Sequence, residues 1–151
     1  MSRTGKSSKP PFYRQETLNS CVPACLRMVL SGLGCDVTEA ELRSRCDCTW
    51  LGTDAFQAVK AARSLGFVRS AKHNLKRKEL ATIVTQGHFP IVFVDLQPLN
   101  GSKGEHALVV LAFEPGGVLV YDPAQGERLL PRAKFAAAWR MMRNLTILIE
   151  Q

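Results

Sequence analysis

The spacing of apolar positions changes partway along the chain. Over residues 21–33, Val22, Cys25, Leu26, Val29 and Leu33 fall on one face of a helix. Asn19 or Ser20 stands where an N-cap belongs, Pro23 sits in the tolerant first turn, and Gly34 ends the run. Thr38-Glu39-Ala40-Glu41 is a capping-box pattern and predicts a second helix to about residue 45. Thr53 and Gly66 bracket a third helix over 54–65, and 76–85 reads as a shorter fourth. From there the apolar runs are β-branched or aromatic, over 90–96, 106–113, 118–121 and 146–149, with Gly, Pro and Asn turns between them. Residues 67–71 read as a short edge strand.

Helices first and strands second predict an α+β domain in two halves, helical and antiparallel-sheet, with the active site in the cleft between them. The 151 residues suffice for one core, and no internal repeat or linker divides them. A polar start rich in Pro, Lys and Ser makes 1–13 a flexible tail and 14–151 the domain. No apolar run approaches the roughly 18 residues of a membrane span. The basic N-terminus has no apolar segment behind it, so a cytoplasmic protein is expected.

Two features narrow the chemistry. The net charge is +7, concentrated at Arg3, Lys6, Lys9 and Arg14 and again over 72–78. A solvated basic face or an acidic peptide partner fits this. Nucleic acid is not expected, because no aromatic residues interleave with the charges to stack bases. The five cysteines, at 21, 25, 35, 46 and 48, are odd in number and follow no secretory signal, which predicts free thiols. Paired C-x2-C knuckles are absent, so neither zinc nor another cofactor is expected.

Cys21 opens the first predicted helix. A thiol at a helix N-terminus is placed where the thiolate is favoured, as a nucleophile requires. Cys25, one turn further in, should pack as a small hydrophobe. The nucleophile needs a histidine, and the histidine needs an acceptor to fix its tautomer. His73 lies in the basic run, and His88 sits in a turn with no carboxylate placed to orient it. His106 opens the run Ala107-Leu108-Val109-Val110-Leu111; the chain turns at 114–117 and returns through 118–121 to Asp122-Pro123. Both ends of that hairpin reach one side of the sheet, which brings Asp122 within reach of His106 while leaving the register open. Gln15, six residues before Cys21, offers an amide for an oxyanion hole, an ordinary surface glutamine being the alternative.

The run from Gln15 to Met28 resembles the opening of the bacteriocin-processing cysteine peptidases, family thirty-nine of the papain-like clan. These occur as N-terminal domains of peptidase-containing ABC transporters and as separate proteins. The resemblance continues at Gly52-Thr53, 62–67, 89–92, 106–110, 120–126 and 135–139, in order and at family-like spacing. It implies a papain-like fold with Cys21 as nucleophile, His106 as base, Asp122 as its orienter and Gln15 in the oxyanion hole. It also implies a leader-peptide substrate cut after a double glycine, an ABC transporter as partner, and no cofactor. Many members carry glycine directly after the nucleophile where this chain has Val22, and a side chain there would narrow the substrate channel. A leader-binding module of weak activity, or a papain-like deamidase or acyltransferase, are the alternative readings.

Overall fold

The computed structural model describes residues 8–49 and 52–151. Three helices come first: α1 (Cys21–Gly32), α2 (Glu39–Arg45) and α3 (Ala55–Ser64). Then follow β1 (Ala71–Asn74), α4 (Arg77–Thr85), β2 (Ile91–Asp95) and the single turn α5 (Gln97–Asn100). The chain closes with β3 (Glu105–Glu114), β4 (Gly117–Asp122), β5 (Gly126–Leu130), α6 (Arg132–Arg140) and β6 (Leu145–Leu148). The strands form one antiparallel sheet in the order β1-β6-β2-β3-β4-β5.

The apolar runs of β2 and β3 are continuous because both faces of the sheet are covered. Ile91, Phe93, Ala107, Val109, Leu111 and Ile147 join Leu26, Met28, Val29 and Ala58 of α1 and α3 in one cluster. The alternate residues Val92, Val94, Leu108, Val110, Val118 and Val120 join Leu80 of α4 and Phe135 and Trp139 of α6 in another. Each large side chain so buried contributes about 1.5–3 kcal/mol. The α+β organisation is as expected, with α4 and α6 forming a second helical layer that the reading of two halves did not contain.

Local differences have local causes. Asp54, not Thr53, caps α3, because its carboxylate accepts from Gln57 N–H while Gln57 returns the bond to Asp54 N–H. The edge strand falls at Ala71–Asn74 instead of 67–71, since Phe67 is held in the core below α3 and Ser70 is pinned to Glu150 at the chain's end. Thr38 caps α2 as expected, accepting from Glu41 N–H. At the β3–β4 turn, Gly117 has φ +148, and a Cβ there would stand 2.1 Å from the Leu130 carbonyl, so only glycine lets β5 pass.

The flexible tail expected over 1–13 does not extend through residues 10–13. Residues 1–7 lie outside the described residues, but Pro10 is buried and Phe12 and Tyr13 pack on the core. The Pro10 carbonyl accepts from the Tyr121 hydroxyl at 2.9 Å, Phe12 meets the Tyr121 ring edge-on, and Arg27 lies 3.8 Å from the centre of the Tyr13 ring. These aromatic anchors were hidden among the polar residues around them.

Candidate active site

Register determines which side chains of the β3–β4 hairpin share a face. Near the turn the pairs are Glu114↔Gly117, Phe113↔Val118 and Ala112↔Leu119. Beyond it they are Val110↔Val120 and Val109↔Tyr121, so Leu111 is left without a partner in a β-bulge. Continued by one residue, this ladder sets Asp122 opposite Leu108, with His106 two positions on and therefore on the same face. Without the bulge Asp122 would face Val109, and His106 would point to the other side. The bulge thus completes what the hairpin alone left open, and His106 Nε2 lies 2.8 Å from Asp122 Oδ1.

The same logic brings in a residue the sequence reading missed. Across β4–β5, Asp122 pairs with Gly126 and Val120 with Arg128, so Arg128 is the diagonal neighbour of Asp122. Its Nη1 donates to Asp122 Oδ2 at 3.1 Å, while the Ala124 N–H donates to Oδ1 at 2.9 Å. Asp122 is 1% exposed. Burial alone would raise its pKa, but the bonds to His106, Ala124 and Arg128 outweigh that and lower it below the usual carboxylate value. The available signal was the turn Asp122-Pro123-Ala124-Gln125-Gly126, which starts a second hairpin into β5.

His106 is bonded to Asp122 and influenced by Cys21. Burial is the largest influence on its ring and opposes the charge, yet the bond to Asp122 and the nearby Cys21 together raise its pKa to about 9. With Nε2 engaged by Asp122, Nδ1 is the ring atom left for Cys21. His73 and His88 are exposed, on β1 and in the turn before β2. All five cysteines are free. Cys25 is fully buried in the core and its thiol is pushed well up by burial, whereas Cys21 is partly exposed at the start of the same helix. Burial likewise takes Cys46 up to about 12.

The loop before Cys21 is tied down from several directions. Ser20 occupies the N-cap position of α1 without capping it; its hydroxyl instead accepts from Thr17 N–H at 3.0 Å and donates to the Thr17 carbonyl. The expected Asn19 or Ser20 cap is therefore not formed, and no side chain occupies the N–H groups of the first turn. Glu16 N–H donates to Glu39, a carboxylate buried at the start of α2 and paired with Arg43. Gln15 is held at its backbone, where its N–H donates to the Pro123 carbonyl at 2.8 Å, one residue from Asp122. Its side-chain amide donates to the Thr17 and Leu18 carbonyls at 2.8 and 3.3 Å, and its Oε1 is buried without a partner. Val22, whose side chain was expected to narrow the substrate channel, is 3% exposed and belongs to the core cluster.

A helix opening on a cysteine, docked against an antiparallel sheet that carries a His–Asp pair, is the papain-like arrangement of a cysteine peptidase. The chain belongs to the Peptidase C39 family, which it matches over residues 9–150. It is 28% identical over 129 residues to an uncharacterized protein of Methanothermobacter marburgensis, spanning 83% of this chain and 80% of that one. Solved structures share the fold. A double glycine motif protease from an AMS/PCAT transporter, in complex with the leader peptide, superposes with TM-score 0.78 at 20% identity over 97% of this chain and 94% of that one. The peptidase domain of Streptococcus ComA, a bifunctional ABC transporter, gives 0.79 at 24% identity over 95% and 100%. A putative C39-like peptidase of Bacillus anthracis gives 0.79 at 17% identity over 99% and 98%. Among the described residues no helix is long and apolar enough to cross a membrane.

Proposed function

We propose that this chain removes a leader peptide from a precursor by thiol catalysis, cutting after two small residues with Gly-Gly preferred. The observation that carries the reading is the placement of His106, bonded to Asp122 at 2.8 Å and near enough to Cys21 at the start of α1 for the thiol to influence its ring. Cys21 Sγ attacks the scissile carbonyl carbon, and a C–S bond forms. His106 passes its proton to the leaving amine as the C–N bond breaks. Water then adds to the thioester, giving a proton to His106, and the C–S bond breaks to release the acid and the thiolate. Asp122 holds the imidazole in one orientation and stabilises its charged form.

The developing oxyanion needs donors, and the uncapped first turn of α1 supplies the Cys21 N–H. Gln15 is the second donor in this reading. Its amide turns from the Leu18 carbonyl, the longer of its two bonds, to the substrate oxygen. Substrate class and setting rest on the neighbours, which include transporter peptidase domains and one bound to a leader peptide. The reaction belongs on the cytoplasmic side, beside an ABC transporter.

The test is a panel of precursor peptides varied at the two residues before the cut. Cleavage should be fastest after Gly-Gly, absent in Cys21→Ala and His106→Ala, and unchanged in His88→Ala. In Gln15→Ala, kcat should fall on the order of 10²–10³-fold with KM little changed. Iodoacetamide should label Cys21 ahead of the partly exposed Cys35 and Cys48. Efficient cleavage after bulky residues, or ammonia release from glutamine without cleavage, would replace leader processing by the deamidase reading.

A further inference from the structure

The helical layer that covers the sheet from the α4–α6 side carries much of the chain's excess charge. Two adjoining cavities of ≈ 320 and ≈ 430 Å³ share Arg77, Lys78, Ala136 and Trp139 in their walls and form one groove between α4 and α6. Its floor is apolar, made by Phe113, Phe135 and Trp139. Its rim carries Lys76, Arg77, Lys78, Arg132 and Arg140, all exposed. Among the described residues none of these five is in a salt bridge. Glu79, the carboxylate within the α4 run, is turned back onto the Lys76 N–H, and Arg132 reaches the Glu114 backbone carbonyl, not its carboxylate.

Cations left without counter-charges around an apolar floor are complementary to an acidic chain that also carries an apolar side chain. A flat anionic bilayer does not fill a concave groove. Nucleic acid needs exposed rings to stack on, whereas Trp139 and Phe135 are 1% and 3% exposed and Arg132 covers Phe113. We propose that the α4–α6 groove docks an acidic polypeptide segment, with one apolar or aromatic side chain seated in its apolar cavity and carboxylates against the Arg77, Lys78 and Arg132 rim. None of Gln15, Cys21, His106 and Asp122 lines the groove, which lies at the Phe113–Val118 turn end of the β3–β4 hairpin and not at its His106–Asp122 end, so this is an exosite with a function separable from peptide-bond cleavage.

The probe is a fluorescent random copolymer of glutamate and tyrosine, followed by anisotropy with the full chain. Parallel arms use polyglutamate, single-stranded RNA, and vesicles of phosphatidylcholine with phosphatidylglycerol. The copolymer should bind more tightly than polyglutamate and weaken as salt rises through about 0.1–0.5 M. The triple variant Arg77→Glu, Lys78→Glu, Arg132→Glu should lose about tenfold in affinity or more. These side chains are exposed, so Cys21 labelling by iodoacetamide should stay at the wild-type rate and report an intact fold. Equal binding of copolymer and polyglutamate, no response to the triple variant, or tighter binding of RNA or vesicles overturns the proposal. Because binding is read without turnover, its failure leaves the peptidase reading untouched, and loss of turnover leaves this one untouched.

Discussion

The two halves of the β3–β4 hairpin have the same pleat but different register. The turn-side half, Ala112 to Leu119, is an ordinary antiparallel pair, while the site-side half is offset by one residue at Leu111. Consequently Phe113 faces the α6 layer together with Leu108 and Val110, although its position number is odd and theirs are even. His106 lies on the site side of the offset, and so meets Asp122. One unpaired residue therefore does more for the His–Asp geometry than any hydrogen bond around it, because it decides which face each partner occupies.

The sharpest way to break this comparison is to change the register by two routes. Deleting Ala107 leaves Val109↔Tyr121 in place but puts His106 next to Leu108, and so sends it to the face opposite Asp122. Inserting one valine between Leu119 and Val120 gives Leu111 a partner and removes the bulge, but preserves Val109↔Tyr121 and hence the His–Asp contact. Turnover should fall by about 10⁴ or more in the deletion, as in His106→Ala, and by less than about tenfold in the insertion. Circular dichroism and thermal melts select variants that retain the fold. Equal activity of the two would mean that register does not govern the site.

Much of this was legible in the sequence. His106, the turn at 114–117 and Asp122 define a hairpin by composition alone, and Cys21 marks a helix start. The offset was not legible, since a bulge in a run of buried apolar residues such as Val109-Val110-Leu111 leaves no trace when both faces of the strand are covered. Arg128 was missed for a related reason. Gly126-Glu127-Arg128-Leu129-Leu130 is too charged to read as a strand, yet β5 lies at the sheet edge, where polar side chains reach solvent. The Pro10–Tyr13 segment reads as tail because its anchors are aromatic contacts spread across the chain, not a periodic local pattern.

Arg128 sharpens the comparison at the second ladder. It holds the Asp122 oxygen that His106 does not use, and so acts on the histidine through the carboxylate as a positioning residue. Arg128→Met should lower kcat by about three- to tenfold with KM nearly constant. Because Arg128 helps lower the Asp122 pKa, the acid limb of the pH–rate profile should move to higher pH in the variant. Arg128→Lys, which keeps the charge, should restore much of that limb. A lower Tm with an unshifted acid limb would reduce Arg128 to a structural contact.

The smallest effect is on stability, and its sign follows from the raised histidine. The folded pKa of His106 is about 9, above the roughly 6.5 of an unfolded chain. Folding therefore favours the protonated ring, and its stabilising contribution is complete below about pH 6.5 and is lost as pH rises through about 9. His106→Gln lacks this contribution at every pH. In urea titrations at pH 6, 8 and 10, wild type should exceed the variant by about 1–3 kcal/mol more at pH 6 than at pH 10. The Cys21→Ala and Asp122→Asn backgrounds should each narrow the dependence, because each removes one of the two groups that raise the ring. A gap that stays level, or widens toward pH 10, would show that the imidazole enters the fold neutral. The picture of a protonated His106 paired with Asp122 would then fail even if the register argument stood.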